Sequence, residues 1–247
     1  CRVEIGYPVQ PAGSTYAYAT LAERSGAQIR LGRAATLDMH GERVGGVLID
    51  GQRIEADTVL VAAGPWSPEI VDPSGRWLPI RHRWGVVVET QMATGPSHVL
   101  EEADIAAAIG AAPANRSLEF DPDEAIEGFS LVPLAGLASV GSTFLAREPD
   151  PAAWIERLLQ RASRFVPGVA DAPIRGTRVC ARPQSLDGRP LVGRVPERPG
   201  LFICAGHGAW GISTGPASAR LVVDEILGRD PLIPSELDPG RFGPIGA

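Results

Sequence analysis

The chain has 247 residues, of which 44% are hydrophobic and 21% charged, with a formal net charge of −6. That is enough apolar material for one large or two small packed domains, and too little net charge for disorder. The acidic balance argues against a nucleic-acid partner, and no apolar run approaches the ~18–20 residues of a membrane span. All 23 basic residues are arginine, so no lysine of this chain can act as a base or form a Schiff base. The cysteines are Cys1, Cys180 and Cys204. An odd count without framework spacing predicts a reducing, cytoplasmic setting and no metal cage. The chain opens on a cysteine inside a segment that reads as extended, so an N-terminal truncation is expected.

In chain order, a helix is predicted from about Ala12 to Ser25, with Tyr16, Leu21 and Ala22 on an apolar face and Gly26 as its stop. Short strands are predicted at "AQIRL", "ATLDM", "RVGGVLI", "QRIEA" and "DTVLVAAG", separated by the turns "HGER" and "DGQ". The last of these is apolar from Thr58 to Ala63, as in a parallel strand buried on both faces. From about Arg76 to Arg178 the texture changes. Runs "RWGVVVET", "FSLVPL" and "ASVGSTFL" alternate with acidic loops and predict an antiparallel sheet. A covering helix from about Pro151 to Phe165 carries Trp154, Ile155, Leu158, Leu159 and Ala162 on one face, with Asp150 as N-cap and Pro151 at the first helical position. From about Val179 the first style returns: turn, buried strand (Leu201 to Ala205), glycine-rich turn, helix, and an irregular proline-rich tail.

That glycine-rich turn, Gly206-His207-Gly208-Ala209-Trp210-Gly211, is a literal G-x-G-x-x-G. A dinucleotide fingerprint needs a helix that starts at the turn, a second strand, and a ribose-binding acid about 20 residues on. Pro216 is expected at the first position of the helix, which would displace the helix start from Gly211. No buried strand follows, and Asp224 and Glu225 fall inside the helix. Two other readings stand beside it: a plain structural turn, or a turn and helix start pressed against a flat ring. Glycines let backbone approach a ring closely, and a helix N-terminus favours the negative charge of a reduced flavin.

"CARPQSLDGRPLVGRVPERPGLFICAGHGAWGISTGPASARLVVDEILG" resembles the C-terminal signature of the D-amino-acid oxidase/glycine oxidase superfamily of FAD-dependent oxidoreductases. The matching elements are Arg182-Pro183, Asp187-Gly188-Arg189-Pro190-Leu191-Val192-Gly193 and Gly206-His207. "GAQIRLGRAATLD" is similar to the family strand whose backbone meets the FAD adenine, near Ala35, and "ADTVLVAAGPWSPEI" to the strand that brings Gly64, Pro65 and Trp66 to the cofactor. The resemblance implies an α/β fold (α+β overall). Residues 1–75 and 179–247 would form an incomplete FAD-binding domain with a parallel sheet and a β-meander, and residues 76–178 a substrate-binding domain with an antiparallel sheet. It implies a site between them, under the flavin ring. The family's N-terminal βαβ unit, with its own G-x-G-x-x-G, has no counterpart here.

The resemblance further implies oxidation of the C–N bond of an amino acid or secondary amine, with O2 or an electron acceptor as partner. Arg182 would hold the substrate carboxylate by a bidentate guanidinium fork. Trp210 would line the substrate site or pack behind the turn. Gly206, His207, Gly208, Ala209, Gly211, Ile212 and Ser213 would face the flavin. His207 would touch the flavin or substrate, or bond a carbonyl in the turn. Cys180 is a buried thiol or, as in some relatives, a covalent flavin attachment point. Arg81, His82 and Arg83 read as a solvated turn or as the family's basic entry to the substrate domain, and Trp77 and Trp84 read as core. The competing expectation for the chain is a non-catalytic fragment or accessory subunit.

Overall fold

The computed structural model describes residues 9–102, 125–229 and 232–245. Along the chain these form helix α1 (Pro11–Arg24), strands β1 (Ala35–His40), β2 (Arg43–Ile49), β3 (Gln52–Glu55) and β4 (Val59–Val61), and the short helix α2 (Ser67–Val71). Strands β5 (Ile80–Gln91), β6 (Leu100–Glu101), β7 (Ile126–Leu134) and β8 (Leu137–Phe144) follow, then helix α3 (Ala152–Ser163). Strands β9 (Ile174–Ser185), β10 (Leu191–Arg194) and β11 (Leu201–Ala205) lead to helix α4 (Gly211–Ile226). The fold is α/β in content, with one sheet that contains a parallel pair and two that are antiparallel or ordered as meanders.

The chain divides into two units, one of Tyr18–Arg81 with Arg182–Ala247, the other of Cys1–Ala17 with His82–Ala181. In the first, β1, β2 and β3 form an antiparallel meander, and a second sheet runs β10-β11-β4. β11 is antiparallel to β10 and parallel to β4, with Leu201 opposite Val59 and Ile203 opposite Val61. Leu201, Ile203 and Ala205 face one core with Val44, Val61, Trp77, Ile80 and Leu191. Phe202 faces the other way, onto Val192 and Val222 of α4. Covering both faces explains why β11 reads as a continuous apolar run. β4 departs from that expectation. Val61 is buried, but Leu60 is 37% exposed, and among the described residues the far edge of β4 pairs with no strand.

In the second unit the sheet order is β6-β7-β8-β5-β9. Helix α3 covers one face: Leu158 packs on Val86 and Val88, and Ala162 on Phe129, Leu131 and Val140. Asp150 Oδ1 accepts from the Ala152 N–H at 3.0 Å and caps this helix as expected. Arg161 grips Glu102 through both guanidinium N–H directions at 2.8–3.0 Å, while the same carboxylate accepts from the Phe129 N–H at 3.0 Å. Burial alone would raise the Glu102 pKa, but these bonds outweigh it and hold the carboxyl below its ordinary value.

Three local expectations are corrected. "AQIRL" forms no strand, and its residues lie in coil and turn. Helix α1 forms where predicted but buries no residue, and Tyr16 and Leu21 lie exposed. The basic run Arg81-His82-Arg83 is no solvated turn. It lies within β5, with Arg83 buried and the His82 ring stacked on Trp84.

Candidate functional site

The parallel strands β4 and β11 end in the same way. Each runs into Ala-Gly, then a single 3₁₀ turn that closes on a tryptophan, then an α-helix: Gly64–Trp66 leads into α2, and Gly208–Trp210 into α4. Because the strands are parallel and paired, both turns lie at one carboxyl end of the sheet, where open α/β sheets bind ligands. Gly64, Pro65 and Trp66 are thereby brought to the same sheet end as Gly206, His207, Gly208, Ala209, Trp210, Gly211, Ile212 and Ser213. Trp66, Trp210 and Ile212 are exposed there at 51%, 44% and 55%.

Buried serines fix both turns. Ser67 is fully buried, and its Oγ accepts from the Ala63 N–H at 3.1 Å. On the other turn, His207 Nε2 lies 2.9 Å from Oγ of the buried Ser218. The His207 backbone also bridges that of Gln184 near the end of β9, and its carbonyl accepts the Trp210 N–H at 3.0 Å. Burial lowers the His207 pKa, so its imidazole is neutral.

Helix α4 begins at Gly211, not at Pro216, which lies inside it. The reason is the residue before the proline. Ordinarily the proline ring clashes with the Cβ of its predecessor, but Gly215 has none, and open space surrounds the position. The helix start is therefore continuous with the glycine turn. No side chain caps it, and its first residues are exposed. A helix start that no side chain caps, carrying roughly +0.5 elementary charge, favours an anion. Among the described residues no strand follows α4, only 3₁₀ turns, so the βαβ frame of a dinucleotide fingerprint is absent here. An exposed, uncapped helix start beside two exposed tryptophans fits the electron-rich edge of a flat conjugated ring.

Other sequence-predicted residues are placed as follows. Arg182 is half-buried on β9, two residues before Gln184 and hence about 7 Å along the strand from the bridge to His207. Ala35 stands exposed at the start of β1, in the separate meander. Cys180 is exposed, not buried, while burial pushes the Cys204 thiol up to about 11 and leaves it inert. Trp77 is core. Sequence reasoning missed Gln184, Ser67 and Ser218. It also missed Arg241 in the tail, which grips Asp187 bidentately at 2.7 and 3.0 Å and bonds the Arg189 carbonyl at 2.8 Å. Burial would raise the Asp187 pKa, but Arg241 and the Arg189 N–H outweigh it and hold it low.

The family model for FAD dependent oxidoreductases matches residues 6–225, nearly the whole chain. The chain belongs to this family. FAD-dependent oxidoreductases similar to it include a glycine oxidase of Pseudomonas aeruginosa, 32% identical over 212 residues, which are 83% of this chain and 50% of the relative. A D-amino acid dehydrogenase of Xylella fastidiosa is 29% identical, over 95% of this chain and 52% of its own length. Among solved structures, the iminodiacetate oxidase of Chelativorans sp. BNC1 superposes with a TM-score of 0.71 at 25% identity, covering 92% of this chain and 57% of that one. The chain thus spans about half the length of the curated relatives it matches. The fold is that of the family's flavoenzymes, and FAD is the cofactor of the family.

Proposed function

We propose that this chain carries the ring-binding and substrate-binding parts of an FAD-dependent oxidoreductase that oxidises the C–N bond of an amino acid or secondary amine. The observation that supports it most is the paired glycine turns at the carboxyl end of β4 and β11, with the uncapped start of α4 and the exposed Trp66 and Trp210 at that same end. A bound flavin would supply the acceptor for the hydride, two electrons and one proton, that leaves the substrate carbon. Substrate nitrogen then stands as an imine, which water hydrolyses to a carbonyl compound and an amine or ammonia. The acceptor that restores the flavin is O2 or an electron-transfer partner.

The roles of the chain's own residues follow from their chemistry. The first N–H groups of α4 stabilise negative charge on the ring edge without reorganising. Gly211 carries no Cβ that would hold the ring away. Arg182 takes the substrate carboxylate by two parallel hydrogen bonds and so fixes the orientation of the reacting carbon. His207 is half-buried, which lowers its pKa and favours the neutral imidazole, and it acts as part of the frame. The relatives' names, glycine oxidase, D-amino acid dehydrogenase and iminodiacetate oxidase, share a carboxylate next to an amine, which matches an arginine anchor.

The test is the visible spectrum of the complete gene product. It is expected to bind FAD and to lose the oxidised-flavin band when glycine, a D-amino acid or iminodiacetate is added without oxygen. A protein that takes up no FAD, or holds FAD that none of these amines reduces, overturns the reading. With Cys180 free of covalent linkage, acid denaturation is expected to release all of the FAD into the supernatant.

A further inference from the structure

Ser218 lies seven residues into α4, two turns from its start. It is 4% exposed, and its Oγ is 2.9 Å from His207 Nε2. This is not a helix cap, which would come from a residue before or at the first turn. It links the body of the helix to the second residue of the glycine turn, whose longer side chain spans the distance. His207 is held on two other sides: its backbone bridges Gln184, and its carbonyl accepts from Trp210. Gln184 is buried and braces the next residue, since a Cβ on Gly208 would stand 2.9 Å from its Oε1. One residue thus ties strand β9, the turn and helix α4 together, the first two through its backbone and the helix through its imidazole. Together with the Thr214 Oγ1 bond to the Trp210 carbonyl at 2.8 Å, the bond to Ser218 fastens the turn to the helix, whereas the other ties lie within the strand or the turn.

The direction of the first N–H groups matters because a hydrogen bond weakens steeply as it bends. We propose that Ser218 is a positioning residue for the flavin: by holding the His207 ring it aims the start of α4, and so favours reduced over oxidised flavin. This rests on the reading of that helix start as the flavin-ring site. A negative charge at the ring edge is present in the reduced state, so misaiming the N–H groups weakens reduced flavin more than oxidised flavin.

The experiment compares wild type with Ser218→Ala, Ser218→Cys and Ser218→Thr in the complete protein. FAD affinity is measured in both redox states, and the His207 ring nitrogen signals are recorded by NMR in flavin-free protein. Ser218→Ala is expected to lower the reduced-to-oxidised affinity ratio about tenfold, which is ~30 mV for a two-electron couple. It is also expected to shift the His207 Nε2 signal. Ser218→Thr keeps the hydroxyl and is expected to restore both within about threefold, as a tenfold ratio is well resolved. Ser218→Cys keeps the volume with a weaker bond and is expected to fall between, which covers the case of an unstable alanine variant. If wild type binds FAD and the alanine and cysteine variants show its affinity ratio, the positioning role is overturned and the flavin reading stands. If wild type takes up no FAD, the flavin reading falls and this role falls with it.

Discussion

At Gly206 and Gly208 the backbone is left-handed, with φ of +87° and +56°, and a Cβ would stand 3.1 Å from Leu191 Cδ1 or 2.9 Å from Gln184 Oε1. Gly211 is different: its φ is −57° and an added Cβ would meet only His207 Cβ at 3.7 Å, an ordinary contact. The fold itself demands the first two glycines but not the third. Gly208→Ala is therefore expected to destabilise the protein by about 1–2 kcal/mol, read as a lower thermal midpoint. Gly211→Ala is expected to leave that midpoint unchanged or higher while weakening FAD binding at least about tenfold, as a methyl group intrudes on the ring contact. Equal FAD affinity in wild type and Gly211→Ala would show that no ring lies against that backbone. For Arg182→Ala, loss of a bidentate charge-assisted pair worth about 3 kcal/mol is expected to raise KM for a carboxylate substrate roughly 100-fold. FAD affinity should stay the same. An unchanged KM would assign Arg182 to the framework.

Helix α3 shows what a single element contributes. Leu158 is 1% exposed beneath Val86 and Val88, so Leu158→Ala is expected to cost about 3 kcal/mol, measured by urea unfolding. α3 was legible in the sequence because its apolar residues follow the helical period and Asp150-Pro151 marks its start. β1, β2, β3, β5, β7, β8 and β11 were legible for the same kind of reason, as short β-branched runs between turns. "AQIRL" has a similar composition, but it contains Arg30, is followed directly by Gly32 and Arg33, and among the described residues no strand pairs with it, so composition alone misled. The start of α4 was misread because proline inside a helix is ordinarily excluded, and the relief given by Gly215 is a steric detail of two adjacent residues. The glycine turns, Arg182-Pro183 and Asp187-Gly188 could be read as a signature. Their supports could not: Ser218 is eleven residues from His207 and Arg241 is 54 from Asp187. Nothing in the local pattern around a serine or an arginine announces a partner that only tertiary structure supplies.

Across the whole molecule, ionisation couples these sites to stability. His207 is depressed by burial, so as pH falls below its ordinary value of 6.5 the unfolded chain takes up a proton that the fold refuses, and stability declines. Asp72 adds to Glu102 and Asp187: burial raises it, but the Ser74 hydroxyl and the N–H groups of Trp77, Ser74 and Arg76 hold it low. For these carboxylates the unfolded chain protonates first, around 3.8 for Asp and 4.5 for Glu, and the folded state loses that stability in acid. Glu225 has the opposite sign. Burial raises it against the pull of Arg194, so its protonation favours the fold as pH drops. The expected urea midpoint is flat from pH 8 to 7, falls gently below 6.5 and falls steeply below 4.5. A midpoint that rises from pH 7 to 5 would show that the lowered His207 pKa does not govern stability in this range. The topology has a consequence for biogenesis as well. β4 leaves the ribosome before the entire antiparallel sheet has been made, whereas its parallel partner β11 follows that sheet. A nascent chain halted before Leu201 holds one glycine turn of the two, so the pair forms only after the intervening antiparallel sheet has been synthesised.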